Sequence, residues 1–92
     1  MLNSWHVILL QEAGKFSHTS AEYVQGHMLI KFQKATNPDG SSGRSLAILV
    51  RRFLIPSISW VWRSESGRIA GIRLKLSGID YNIANGHFEP HS

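Results

Sequence analysis

The chain has 92 residues, of which 42% are hydrophobic, and it contains no cysteine. This length fits one domain, residues 1–92, or a piece of one, and about 60 to 65% of the unfolded chain's surface would be buried on folding. Disulfides, thiolate zinc sites and cysteine nucleophiles are excluded. Because the apolar runs are too short to span a bilayer and the N-terminus lacks a secretory pattern, we expect an intracellular protein with no membrane segment.

The charge balance is basic. Ten Lys and Arg residues against six Asp and Glu residues give a net charge of +4. Such a balance favours approach to polyanions, and we expect nucleic acid as a partner. The basic residues are scattered, with Arg51 and Arg52 as the single adjacent pair. A solvated surface that keeps the protein soluble therefore remains the alternative.

The first part of the chain predicts one strand and one helix. The run from Val7 to Leu10 is apolar without alternation, which is typical of a strand buried on both faces. Residues 17–25 are the one predicted helix, with Ser17 or Thr19 as its N-cap. Gly26 would end it.

The middle of the chain alternates between strands and turns. Residues 27–33 place Met28 and Ile30 on one face, the period-two pattern of a half-buried strand. A loop of turn-forming residues follows at 37–43, and residues 46–53 are predicted to form a further strand.

A strand with two tryptophans comes next. In residues 58–63, Ile58, Trp60 and Trp62 alternate with other residues, so we expect these three side chains to share one face. Residues 64–67 then reverse the chain.

The last part of the chain predicts a hairpin. Residues 68–76 alternate between apolar and basic side chains, and Ser77-Gly78 is a two-residue turn into a strand at 79–88. The sum is an α+β fold made of a mostly antiparallel β-sheet with one or two helices.

Glu12 stands where the first strand ends. A carboxylate at the mouth of a buried strand is costly unless it is paired, solvated or bound to a cation. Mg²⁺ prefers one or two carboxylates together with waters and substrate phosphate. Glu12 is therefore a candidate magnesium ligand, and a water-exposed glutamate at a strand end is the alternative.

Asn85 and His87 stand at the end of the last strand. Side chains two residues apart on a strand point to the same face, so Asn85 and His87 would contact one phosphate together. The histidine would donate a hydrogen bond or a proton, and the asparagine would orient it or bind an oxygen. The alternative is that Asn85-Gly86 forms a turn and leaves His87 on the surface.

Four segments resemble motifs of the endonuclease/exonuclease/phosphatase superfamily. Residues 5–12, WHVILLQE, resemble that family's D-V-I-L-L-Q-E strand. Residues 43–52, GRSLAILVRR, are similar to its glycine-led strand that ends in a basic pair. Residues 67–74 and 83–88 resemble the hairpin that closes on its V-N-x-H strand. The second segment is most similar to endonuclease domains of non-LTR retroelements.

The resemblance implies a site and a reaction. Glu12 would bind Mg²⁺, with Mn²⁺ as a substitute, His87 would contact the scissile phosphate, and Asn85 would lie in the same pocket. The reaction would be hydrolysis of a phosphodiester in nucleic acid by a metal-activated water. Gly86 departs from the family, which places threonine or a similar residue there. The family's Gly-Asp-x-Asn and Ser-Asp-His motifs do not occur in the sequence, so we expect a truncated domain with little or no turnover alone.

The resemblance also sets an expectation for the fold. The family domain is a four-layer α/β sandwich, and this chain would form part of it, with about one sheet. We expect that the inner face of this sheet loses its partner and causes association. The side chains expected on this exposed face are Leu46, Ile48, Trp60, Trp62, Ile72 and Leu74.

Two functions of other kinds remain open beside the enzyme. In the first, Trp60, Trp62 and Tyr81 on a basic sheet stack on single-stranded nucleic acid without catalysis. Packing of these aromatic side chains in the core is the alternative to such stacking. In the second, the chain is a retroelement remnant with no selected function.

Overall fold

The computed structural model describes residues 6–86, which form two antiparallel sheets and little helix. The first sheet has the strand order β1-β4-β3-β2, with β1 at Val7–Leu10, β2 at Ser20–Val24, β3 at His27–Lys31 and β4 at Ala47–Arg51. The second sheet has the order β5-β6-β7, with β5 at Ile58–Arg63, β6 at Ile69–Leu76 and β7 at Ile79–Gly86. A 3-10 helix at Arg52–Ser57 connects the sheets. The expectation of a mostly antiparallel fold is confirmed, and within residues 6–86 no helix is long and apolar enough to cross a membrane.

The predicted helix at 17–25 is wrong, because the edge strand β2 at Ser20–Val24 occupies most of this segment. It pairs with β3 through a two-residue turn in which Gln25 and Gly26 have φ angles of 47° and 80°. Positive φ at both positions is the geometry of a type I′ hairpin turn, whose twist matches that of the strands. Thr19 does not cap a helix; its Oγ1 accepts a hydrogen bond from the Gln33 backbone N–H at 2.9 Å.

The two sheets share one hydrophobic core, which contradicts the expectation of a single sheet with a bare inner face. Leu46, Ile48, Ile72 and Leu74 are each 0 to 1% exposed. The 3-10 helix reverses the chain after β4 and contributes the buried Leu54, so the second sheet covers the first. The buried members of this core are Val7, Ile30, Phe32, Leu46, Ile48, Val50, Leu54, Ala70, Ile72 and Leu74.

A β-bulge in β5 overturns the predicted direction of the two tryptophans. Ile58 pairs with Leu74 of the core face, but the register shifts by one residue, and Trp60 pairs with Arg73 of the outer face. An extra residue in one strand inverts the alternation beyond it. Trp60 is therefore 54% exposed on the outer face of the second sheet.

The hairpin of β6 and β7 is confirmed. Ser77 and Gly78, with φ angles of 51° and 77°, form its two-residue turn. Asn85 pairs with Ala70 and lies within β7, so the alternative that Asn85-Gly86 is a turn is wrong. His87 lies outside the described residues.

Part of the exposed apolar surface lies on the outer face of the first sheet. Ile8, Leu49 and Leu29 form a row across three adjacent strands. Their sequence neighbours in β3 and β4 point into the core, so this row points away from it. Ile8 and Leu10 are exposed, and Leu29 and Leu49 are half-buried.

Candidate functional site

Glu12 and Asn85 both lie at one end of the two sheets, which we call the Glu12 end. Here β1, β3, β5 and β7 finish while β4 and β6 begin. The loops that meet at this end carry Glu12, Asn37, Arg44 and Arg68. Antiparallel pairing thus brings together side chains that are far apart in the sequence.

Glu12 has an unusual backbone conformation. Its φ angle is 53°, in the left-handed region that glutamate rarely adopts. The residues after Glu12 are held in place by Ser45, which is fully buried. The Ser45 backbone C=O accepts a hydrogen bond from Ala13 N–H at 3.0 Å, and its backbone N–H donates to Gly14 O at 2.7 Å. The Ser45 hydroxyl also accepts from Phe16 N–H at 2.9 Å. Strain of this kind persists where the surroundings enforce it, and it is common at functional sites.

The Glu12 side chain borders a small cavity with two guanidinium groups. The cavity has a volume of 180 Å³ and is lined by Glu12, Asn37, Arg44 and Arg68 together with small residues. Arg68 Nη2 donates to Asn37 Oδ1 at 3.1 Å, which orients the guanidinium. Two arginines beside one carboxylate offer donors for a phosphate and a ligand for a cation.

The loop that carries Asn37 is itself ordered. Asn37 Nδ2 donates to Ser41 Oγ at 3.0 Å, and Ser41 Oγ donates to Asp39 Oδ1 at 2.6 Å. The hydrogen bonds from the Ser41 hydroxyl and then from its backbone N–H lower the pKa of Asp39 from its usual value. These bonds fix Asn37 and, through it, Arg68.

Asn85 joins the two sheets. It is only 3% exposed, and its Nδ2 donates to Leu10 O at 2.8 Å and to Ala47 O at 3.3 Å. Gln11 Nε2 adds a bond to Gly86 O. The Asn85 amide N–H groups therefore hold the end of β7 against the end of β1, two residues before Glu12. The contact of His87 with a phosphate in the same pocket stays a prediction.

Arg63 is a residue of this end that sequence reasoning missed. Its guanidinium donates to four backbone carbonyls, those of Gln33, Lys34, Ser64 and Glu65, at 2.8 to 3.0 Å. The alternation that was expected to put Trp60 and Trp62 on the inner face would put Arg63 on the opposite face, but the β5 bulge turns Arg63 inward. It fixes the loop that leads to Arg68.

Gly67 was a usable signal for this packing. Its φ angle is 76°, and a Cβ there would lie 2.5 Å from Arg63 Nη2 and 2.9 Å from the Ala35 Cα. Glycine is therefore required both for the turn and for the close approach of the two loops.

The three aromatic residues predicted to act together are separated. Trp60 and Trp62 lie on the outer face of the second sheet, whereas Tyr81 pairs with Leu74 of the core face. Trp62 packs so closely on Gly71 that a Cβ there would lie 2.7 Å from its ring. Arg73 lies over the Trp60 ring at 5.1 Å, so one side of this ring is already covered.

The residues at the Glu12 end fit a hard cation only in part. Among residues 6–86 no three His, Asp or Glu side chains converge as a complete metal site requires. Glu12 is exposed and, within that part of the chain, forms no ion pair. One carboxylate beside two arginines matches the way in which Mg²⁺ uses few protein ligands, retains waters and binds substrate phosphate.

Comparison with known proteins adds no further assignment. No family model, no curated protein and no solved structure matches the chain. The functional conclusion therefore depends on the geometry of the Glu12 end and on the sequence motifs.

Proposed function

We propose that the chain is a metal-dependent phosphodiesterase, an endonuclease of the endonuclease/exonuclease/phosphatase type that acts on nucleic acid. The observation that carries the proposal is the strained Glu12 at the border of a cavity that also presents Arg44 and Arg68. The proposal includes the finer fold expectation, in which the two sheets are the inner layers of a four-layer α/β sandwich. It also includes the resemblance to non-LTR retroelement endonucleases.

Each residue has a separate role in this proposal. Glu12 holds Mg²⁺ or Mn²⁺, and Arg44 and Arg68 bind the non-bridging oxygens of the phosphodiester. A cation bound there would polarise a phosphoryl oxygen of the substrate. His87 donates a hydrogen bond to the scissile phosphate, and Asn85 positions the strand that leads to His87 by fixing it to β1.

The site favours binding over turnover. Glu12 is the one carboxylate that residues 6–86 place at this cavity. A single carboxylate holds a hard cation weakly and leaves no second one to activate water. We therefore expect little or no hydrolysis by the chain alone, although cation and phosphate binding should be measurable.

The metal role of Glu12 is tested with Mn²⁺ as a paramagnetic probe. In NMR spectra of the full chain, Mn²⁺ should broaden the amide signals of Ala13 and Gly14 first, and Glu12→Gln should abolish this broadening. Glu65→Gln is the matched control, because Glu65 is also an exposed glutamate in a loop. Uniform broadening that persists in Glu12→Gln would remove Glu12 as the ligand.

A non-catalytic nucleic-acid-binding function is the second candidate. It is supported by the net charge of +4. Salt-dependent oligonucleotide binding together with no Glu12-dependent broadening by Mn²⁺ would favour this function over the enzyme. Tyr81 lies on the opposite face of the second sheet from Trp60 and Trp62, so these three aromatic residues do not form the stacking surface that the sequence predicted for nucleic-acid binding.

A further inference from the structure

Two open clefts meet at Arg52, at the end of the sheets opposite Glu12. The first has a volume of 570 Å³ and lies between the β2–β3 turn and Phe53. The second has a volume of 480 Å³ and lies between Tyr23 and the 3-10 helix. Arg52 lines both of them, and its backbone N–H donates to Gly26 O at 3.0 Å. The arginine is thus anchored by its backbone between the clefts.

An exposed aromatic ring lines each cleft, Phe53 in the first and Tyr23 in the second. Phe53 is 61% exposed and Tyr23 is 73% exposed. The 3-10 helix buries Leu54, which turns the adjacent Phe53 to solvent. The His6 ring contacts Phe53 edge to face with the ring centroids 5.1 Å apart, which steadies the phenyl ring. Both rings therefore leave most of their surface open to solvent beside Arg52.

The charge around these clefts is positive. Arg52 lines both clefts and Arg51 lines the first, and none of the described lining residues is Asp or Glu. Glu22, next to Tyr23 in the sequence, is paired with Lys31 at 3.0 Å. Arginine side chains beside exposed aromatic rings suit an anionic ligand that also carries flat apolar groups.

We propose that these clefts bind single-stranded nucleic acid, with a phosphate on the Arg52 guanidinium and a base stacked on each of Phe53 and Tyr23. A basic groove with aromatic side chains at intervals is the general arrangement for such ligands. A folded duplex hides its base faces and cannot stack in this way. The surface lies at the other end of the sheets from Glu12, so it needs no metal and is independent of the proposed catalytic site.

The test is fluorescence anisotropy of a labelled dodecathymidylate with the full chain in EDTA. We expect Arg52→Glu to weaken binding about tenfold and to reduce the slope of log affinity against log salt by about 0.7 or more. Phe53→Ala and Tyr23→Ala should each weaken binding about tenfold and leave the salt slope unchanged. Tyr23 is an edge-strand residue whose replacement leaves the core intact, so it serves if Phe53→Ala fails to fold.

Lys15→Glu is the matched control, because Lys15 is exposed at the Glu12 end and the change in charge is the same. It should weaken binding less than twofold. An equal loss in Lys15→Glu and Arg52→Glu, or unchanged affinity in both aromatic variants, would overturn the proposal. Equal binding to a duplex, to free inorganic phosphate or to phosphatidylserine vesicles would overturn it as well, since these ligands offer charge without stacked bases.

Discussion

Replacing Glu12 by glycine should stabilise the fold while it removes the proposed metal ligand. Glu12 holds a φ angle of 53°, and this conformation costs an L-residue with a Cβ about 1 to 2 kcal/mol relative to glycine. The extra freedom of glycine in the unfolded chain offsets about 0.5 to 1 kcal/mol of this gain. The net expectation is an increase of about 0.5 to 1 kcal/mol in the free energy of unfolding, because the exposed side chain forms no ion pair within residues 6–86.

The assay is thermal and urea unfolding followed by circular dichroism. For a domain of this size the gain corresponds to a rise in Tm of roughly 2 to 8 °C. Gln25→Gly is the matched control, because Gln25 has a φ angle of 47° in a turn at the other end of the sheets. Both variants should be stabilised, and only Glu12→Gly should lose Mn²⁺ broadening. A loss of stability in Glu12→Gly alone would show that the carboxylate supports the fold, and the argument from strain would be refuted.

Three further predictions concern packing, pH and association. Gly67→Ala should lower the free energy of unfolding by about 3 kcal/mol or more in a urea titration, because the added Cβ displaces Arg63, which donates to four backbone carbonyls. Gly78→Ala is the control, because Gly78 has a similar φ angle but open space around it, and it should cost only about 1 kcal/mol. Ser41→Ala should raise the pKa of Asp39 in an NMR titration. Because the folded-state pKa of Asp39 is depressed, its contribution to stability is present above the unfolded-state pKa and is lost as pH falls through the folded-state pKa. In the variant this contribution should be smaller and its loss complete at a higher pH, and identical titrations would contradict the hydrogen bond from the Ser41 hydroxyl. Ile8→Lys on the apolar outer face of the first sheet should reduce concentration-dependent association in sedimentation velocity, and unchanged sedimentation would exclude that face.

The strands and tight turns of the second half were predictable from the sequence. Period-two alternation in β6 places Ile72 and Leu74 in the core, and Ser77-Gly78 supplies the positive φ angles of the hairpin turn. Both signals are local, so pairing with distant segments does not change them.

The wrong predictions concern features that depend on pairing and packing between distant segments, which a local sequence pattern does not report. Most of the predicted helix at 17–25 becomes the strand Ser20–Val24 because an edge position on β3 is available, and pairing overrides a weak helix signal. The bulge after Ile58 has no clear mark in the sequence, yet it decides which face Trp60 and Arg63 occupy.

For the candidate site, the sequence predicted only which polar residues stand at the ends of strands. Glu12 and Asn85 were identified, and antiparallel pairing places them at one end of the sheets. The cross-sheet hydrogen bonds of Asn85 and the contribution of Arg44 and Arg68 to the cavity depend on how the two sheets pack. No pattern in a single segment reports that packing.

The proposed metal-dependent site is tested most directly by the effect of Mg²⁺ on phosphodiester binding at the Glu12 end. The dinucleotide thymidylyl-thymidine is titrated into the full chain with and without Mg²⁺, and the amide signals of Gly43 and Gly67 beside the cavity report binding. We expect Mg²⁺ to tighten binding in the wild-type chain and to have no effect in Glu12→Gln. Equal affinity with and without Mg²⁺, or a Mg²⁺ effect that persists in Glu12→Gln, would contradict it.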